Sequence, residues 1–151
     1  MFKTIIFLLF IIIQIQCMSQ SNMQTIQIET KNNSTYKYHQ IQVNTTFGLS
    51  GELKLNGDKI HDFNDQPTQL SGNLELKQLK DGVNKLVLSI SKIPVDIELG
   101  YFDEAVFTIV FHAINEKMFP SKETALFKIL WNPQSKQTEA EIEYLFNLNL
   151  E

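Results

Sequence analysis

The segment LKLNGDKIHDF, residues 53–63, carries Asn56-Gly57 between two short runs that alternate apolar and polar residues. Asn-Gly tolerates positive φ at both central positions of a type I′ turn, whose twist matches that of paired strands. The dipeptide is therefore the strongest short-range hairpin signal in the chain. Leu53 and Leu55 enter it on one face, and the return run DKIHDF turns Ile60 and Phe63 inward.

Outward from this hairpin the same period-two pattern recurs. Upstream, YKYHQIQVNTTFGLSGELKL (36–55) sets Ile41, Val43, Thr45, Phe47 and Leu49 on one face. Tyr36 and Tyr38 fall on the other parity, which predicts a bulge or change of face near His39. Ile26 and Ile28 mark a shorter strand before it. Downstream, NDQPTQLSGN (64–73) reads as a loop by composition, and LELKQL (74–79) as a strand with Leu74, Leu76 and Leu79. KDG (80–82) is a tight turn into NKLVLSISKI (84–93), where Leu86, Leu88 and Ile90 share a face until Pro94 interrupts pairing. VDIELG (95–100) alternates again. AVFTIVFHAI (105–114) is apolar on both faces, as a strand in the middle of a core should be. NEKMFPSKET (115–124) is a loop, and ALFKILW (125–131) a strand that turns at Asn132-Pro133. In EAEIEYLFNLNLE (139–151), Ile142, Tyr144, Phe146, Leu148 and Leu150 form the cleanest amphipathic face of all.

Eight or nine short strands with turn signals between them, and no helix after the N-terminal segment, predict an all-β fold. The expected architecture is an antiparallel two-sheet β-sandwich, jelly-roll or Ig-like, with the period-two faces buried between the layers. No repeat or linker divides it, so residues 20–151 read as a single domain. The segments LKLNGDKIHDF and LSGNLELKQLKDGVNKLVLSI, with Asn56-Gly57, the Leu79-Lys80-Asp81-Gly82 turn and Asn84, resemble parts of jelly-roll or galactose-binding-like modules. The resemblance covers about a quarter of the chain. It implies a sandwich and suggests carbohydrate contact, but its motifs are turn chemistry and carry over no binding residue.

The first 19 residues read differently. Lys3 precedes the unbroken apolar run IIFLLFIII (5–13), too short to span a bilayer as a helix but suited to the h-region of a secretory signal peptide. Cys17 and Ser19 fit the small-residue rule for cleavage before Gln20, and Ser19 and Ser21 fit it for cleavage before Asn22. Either cut discards Cys17. Lipid anchoring through Cys17 is the lesser reading, because Gln16 and Gln14 stand where lipoprotein processing wants a small residue and Leu. The expected location is periplasmic or secreted, with no stable membrane span after signal cleavage and no disulfide to support the fold.

Charge narrows the function. The chain has 13 Lys, no Arg and 17 Asp or Glu, a formal net charge of −4; Lys3 lies in the leader, leaving −5 on residues 20–151. Without a basic stripe or any Arg for bidentate contacts, nucleic-acid binding is not expected. Catalysis finds no motif: there is no GxSxG elbow and no glycine-rich phosphate loop. His39, His61 and His112 show no local zinc spacing. His61 with Asp62 and Asp65 could gather a metal but reads better as a polar strand end. Asp96, Glu98, Asp103 and Glu104 around Gly100 could offer oxygens to calcium, yet look the same as alternating acids on a wet face. No cofactor or metal is therefore expected, and no enzyme activity. Asn32, Asn33 and Asn44 fit the N-x-Ser/Thr acceptor pattern, which matters only in a eukaryotic secretory pathway.

Aromatic residues among charges are the better lead. Met118 and Phe119 in NEKMFPSKE, and Tyr101 and Phe102 in LGYFDE, are candidate interface anchors, and Trp131 a candidate sugar-stacking platform. Against this stands the plainer reading that Phe102 and Phe119 tuck in to cap the sandwich and that Trp131 is a residue of the core's edge. The expected role is an exported, non-catalytic protein that binds another protein. One concrete form is a periplasmic immunity-type inhibitor of a toxin; the alternative is a carbohydrate-binding or cell-envelope accessory module.

Overall fold

The computed structural model describes residues 23–30, 35–95, 97–98 and 100–150. The expected signal segment with Cys17, both expected cleavage positions, and Asn32 and Asn33 lie outside the described residues. Among the described residues nine strands occur in chain order: β1 (Gln24–Gln27), β2 (Tyr38–Thr45), β3 (Ser50–Leu55), β4 (Asp58–Asn64), β5 (Thr68–Leu74), β6 (Gly82–Lys92), β7 (Phe107–Ile114), β8 (Ala125–Trp131) and β9 (Ala140–Leu148). They form a five-stranded sheet of order β1-β9-β6-β3-β4 and a four-stranded sheet of order β5-β2-β7-β8. All pairings are antiparallel except β1 with β9, which is parallel. The expected all-β sandwich is the architecture observed.

The Asn56-Gly57 turn forms as its chemistry demands, with φ of 52° and 100°. The five-stranded sheet buries Leu53, Leu55, Phe63, Leu86, Leu88, Ile90, Ile142, Tyr144, Phe146 and Leu148. The four-stranded sheet answers with Ile41, Val43, Phe107, Ile109, Phe111, Phe127 and Ile129. Phe111, Phe127 and Phe146 meet across the layers with ring centroids 4.8–5.2 Å apart, an arrangement that adds to simple area burial.

Asn84, fully buried, joins two turns. Its Oδ1 accepts from the Lys80 backbone N–H and the Asn56 side-chain amide, both at 2.8 Å, and its Nδ2 donates to Lys80 O and Gly82 O. Asn56 also donates to Gln78 O and accepts from the Lys85 N–H. Every polar atom of this clasp is paired, as burial requires.

Several local expectations are corrected. Residues 68–74 are strand β5, paired with β2 from Thr45–Thr68 to His39–Leu74. The polar composition that reads as a loop is that of an edge strand: Gln69, Ser71 and Asn73 face solvent, while the alternate residues are half-buried. Pairing to β2 outweighs the poor β-propensity of Ser, Gly and Asn. After Leu74 the chain makes a single 3₁₀ turn, Leu76–Gln78, closed by the Gln78 side chain accepting from the Glu75 N–H; Leu76 is exposed and only Leu79 enters the core. No strand forms at the described residues between Ile93 and Gly100, and Tyr101–Glu104 is a one-turn helix, α1. β2 has no bulge at His39. His39, Ile41, Val43 and Thr45 share the buried face throughout, while Phe47 turns out to solvent. The irregularities fall at Ile60, skipped between the Leu53–His61 and Lys54–Lys59 pairs, at Ser91, skipped between Ser50–Lys92 and Gly51–Ile90, and at Leu126, skipped between Phe111–Phe127 and His112–Ala125. The Ile60 bulge explains how Ile60 and Phe63, of opposite parity, both pack against the core.

Candidate functional site

Register divides the candidate residues between opposite ends of the sandwich. Tyr38, Leu74, Ile114 and Ala125 lie at one end, and Thr45, Thr68, Phe107 and Trp131 at the other. Met118 and Phe119 therefore belong to the first end, Tyr101, Phe102 and Trp131 to the second.

At the first end, residues 115–124 join β7 to β8, and both feet of the loop are pinned. Thr124 Oγ1 accepts from the Ser121 N–H at 2.9 Å and lies 3.0 Å from both Ser121 O and His112 Nδ1. His112 Nε2 is 3.3 Å from Gln42 Oε1 on β2. Asn115 Oδ1 accepts from the Lys37 N–H. Burial lowers the His112 pKa, so the ring that holds the loop is neutral near pH 7. Between the feet the chain is exposed. Phe119 shows 93 % of its surface and Met118 50 %. Lys117 Nζ sits 5.9 Å above the centre of the Tyr38 ring, within cation–π range.

Beside the loop lies a hollow of about 470 Å³, lined among others by Tyr38, Gln40, Asn73, Leu74, Met118 and Phe119. Gln40 Nε2 donates to Asn73 Oδ1 at 2.7 Å, while Gln40 Oε1 is buried with no partner. His39, 2 % exposed and beside Phe111, likewise has no partner for Nε2; burial lowers its pKa. Such unpaired buried atoms are costly. In the sequence His39 registers only as a parity marker, and Gln40 and Asn73 as ordinary polar residues. Nothing local signals that β2 and β5 place them side by side.

At the second end Phe102 and Trp131 pack inward and Tyr101 is tied down, while Phe47 beside them stays exposed. Tyr101 Oη donates to Phe47 O at 2.6 Å, and its ring meets Phe102 edge-on at 5.2 Å. Burial, then the charge of Asp65, raises the Tyr101 pKa. The bond lies over Gly48, whose φ is 89°; a Cβ there would stand 2.8 Å from the Pro94 ring and 3.0 Å from Tyr101 Oη. Phe102 packs against the core. Trp131 packs there too and lines a groove of about 790 Å³ with Gln24, Ile26, Lys128, Gln137 and Tyr144.

The polar candidates are not brought together. His61 Nε2 bonds Thr68 Oγ1 at 2.8 Å, Asp62 pairs with Lys59 and Asp65 with Lys92. Asp96 lies outside the described residues. Among the described residues no three His, Cys, Asp or Glu side chains cluster as a metal would require. No helix among them is long and apolar enough to cross a membrane. No family model, curated protein or solved structure matches the chain.

Proposed function

We propose that this chain acts without catalysis, as an exported protein that binds another protein through loop 115–124. One observation carries the reading: Phe119 is almost wholly exposed on a loop whose two feet are held by hydrogen bonds. A large aromatic on a positioned loop loses little freedom on docking and buries much apolar area, the character of interface hot spots. Glu116, Lys117, Lys122 and Glu123, all exposed, flank it along the loop. An immunity-type inhibitor, with this loop laid over a toxin's active site, is the concrete form.

The test is capture from the producing cell's envelope with wild-type and Phe119→Asp chains, followed by identification of the partner and measurement of its affinity. A partner bound at least ~10-fold more weakly by Phe119→Asp, with unchanged Tm, supports the reading. Equal affinity for both chains refutes it.

Trp131 favours a second reading. Its indole lines a groove together with amide and hydroxyl side chains, including Gln24, Asn132, Ser135 and Gln137, which is the lining a glycan uses. A glycan array probed with wild-type and Trp131→Ala chains decides it: hits lost in the variant support it, and an empty array removes it.

A further inference from the structure

Among the described residues each sheet ends in two edge strands, and three of these four edges are guarded. β1 has only four residues. β4 carries Asp58, Lys59 and Asp62 and the Ile60 bulge. β8 carries Lys128 and the Leu126 bulge. Short length, charge and bulges are how sheet edges avoid pairing with other chains. β5, TQLSGNL, has none of these: seven residues, no charge, no proline and an unbroken register with β2.

The direction of its backbone groups follows from two bonds. The Thr68 N–H donates to Thr45 Oγ1, so Thr68, Leu70, Gly72 and Leu74 turn their backbone groups toward β2. The Ala113 N–H donates to Thr124 O on the β8 side, which puts the odd residues of β7 toward β8 and the odd residues of β2 toward β5, in agreement. Backbone groups alternate along a strand. Gln69, Ser71 and Asn73 therefore present their N–H and C=O groups outward from the sheet.

We propose that two copies of this chain pair edge to edge through β5, antiparallel about a twofold axis at Ser71, fusing their four-stranded sheets into one continuous sheet. The strand is complementary to itself in that register. Ser71 opposes Ser71 of the second copy, and Gln69 opposes Asn73. These are the residues whose backbone groups point outward, so each opposed pair exchanges two hydrogen bonds. On the outer face the Gln40–Asn73 amide bond, 2.7 Å, continues into Gln69 of the second copy as a ladder of amides. On the inner face Leu70 opposes Gly72, where a Cβ would find only its own chain's Leu70 Cδ1, at 4.0 Å. No like charges meet, because β5 has no charge. The proposal stands on β5 alone and is independent of what loop 115–124 binds.

The test is the mass of the chain, as purified from the producing cell, by light scattering over a concentration series. The expected result is a dimer that dissociates on dilution. Ser71→Pro removes an outward N–H while leaving the bonds to β2, so its dissociation midpoint should rise at least ~10-fold; Ser71→Ala should remain dimeric. A wild-type chain that stays monomeric up to millimolar concentration overturns the proposal. So does a folded Ser71→Pro chain that dimerises as wild type does. Should Ser71→Pro fail to fold, cysteine cross-linking decides. Hydrogen-bonded antiparallel partners stand about 5.5 Å apart at Cα, within disulfide reach. Ser71→Cys in a Cys17→Ser background should oxidise to a covalent dimer much faster than Lys128→Cys on β8, and equal rates overturn the pairing.

Discussion

LGYFDE and NEKMFPSKE look alike as sequence, each an aromatic pair or near-pair among charges, yet the fold treats them in opposite ways. Tyr101 and Phe102 are held in: the phenol finds the Phe47 carbonyl at 2.6 Å, Gly48 leaves room for it, and Phe102 joins the core. Phe119 stands 93 % exposed. The difference lies in what the neighbouring chain offers. A tyrosine hydroxyl can be drawn to an unpaired carbonyl on an adjacent turn, whereas Phe119 has no polar handle, and both feet of its loop are fixed by Asn115 and Thr124. Aromatic residues among charges thus mark a place where function is possible, and the partner atoms decide which place remains open.

Substitutions can break or sharpen this contrast. The largest effect should come from the core beneath both ends: Phe146→Ala removes a ring packed against Phe111 and Phe127 and should cost about 3–5 kcal/mol in denaturant unfolding. Gly48→Ala attacks only the closed end, forcing a Cβ onto a positive φ and against Pro94. A loss of about 1–3 kcal/mol is expected, with the proposed binding through loop 115–124 untouched. Tyr101→Phe removes a single hydrogen bond and should cost about 1 kcal/mol. The closed end should also respond to alkali. The folded state raises the Tyr101 pKa and pushes that of Tyr144 to about 12. A raised pKa stabilises the fold fully below the unfolded value, near 10, and the contribution disappears as pH climbs through the folded values. Melting temperature should therefore fall above pH ~10, less steeply in Tyr101→Phe. Phe119→Ala should change stability least, within about 0.5 kcal/mol, since the ring touches little that unfolding would expose. A large loss there would mean the ring is packed after all.

How much was legible follows the same line. The Asn56-Gly57 hairpin, the doubly apolar β7 and the alternating β9 announce themselves because their instructions are local: turn chemistry and period two. β5 could not be read, since Ser, Gly and Asn become a strand only when β2 offers its edge. Residues 95–100 carry the alternation of a strand, yet Gly100 turns the backbone at φ 96° and the Ala105 N–H donates to Tyr101 O, closing a helical turn at α1. The Asn56–Asn84 clasp was visible as two turns but not as one network. The hollow beside Met118 was hidden too, because Gln40 and Asn73 are 33 positions apart and meet only through strand pairing.

β9 lies between β1 and β6, and the Thr25–Glu143 contact spans 118 positions of chain. Without β9, β1 has no strand neighbour among the described residues, and Phe111 and Phe127 lack the Phe146 ring that packs against both. The outermost strand of one sheet and the ring cluster between the layers are therefore completed together, by the ninth strand.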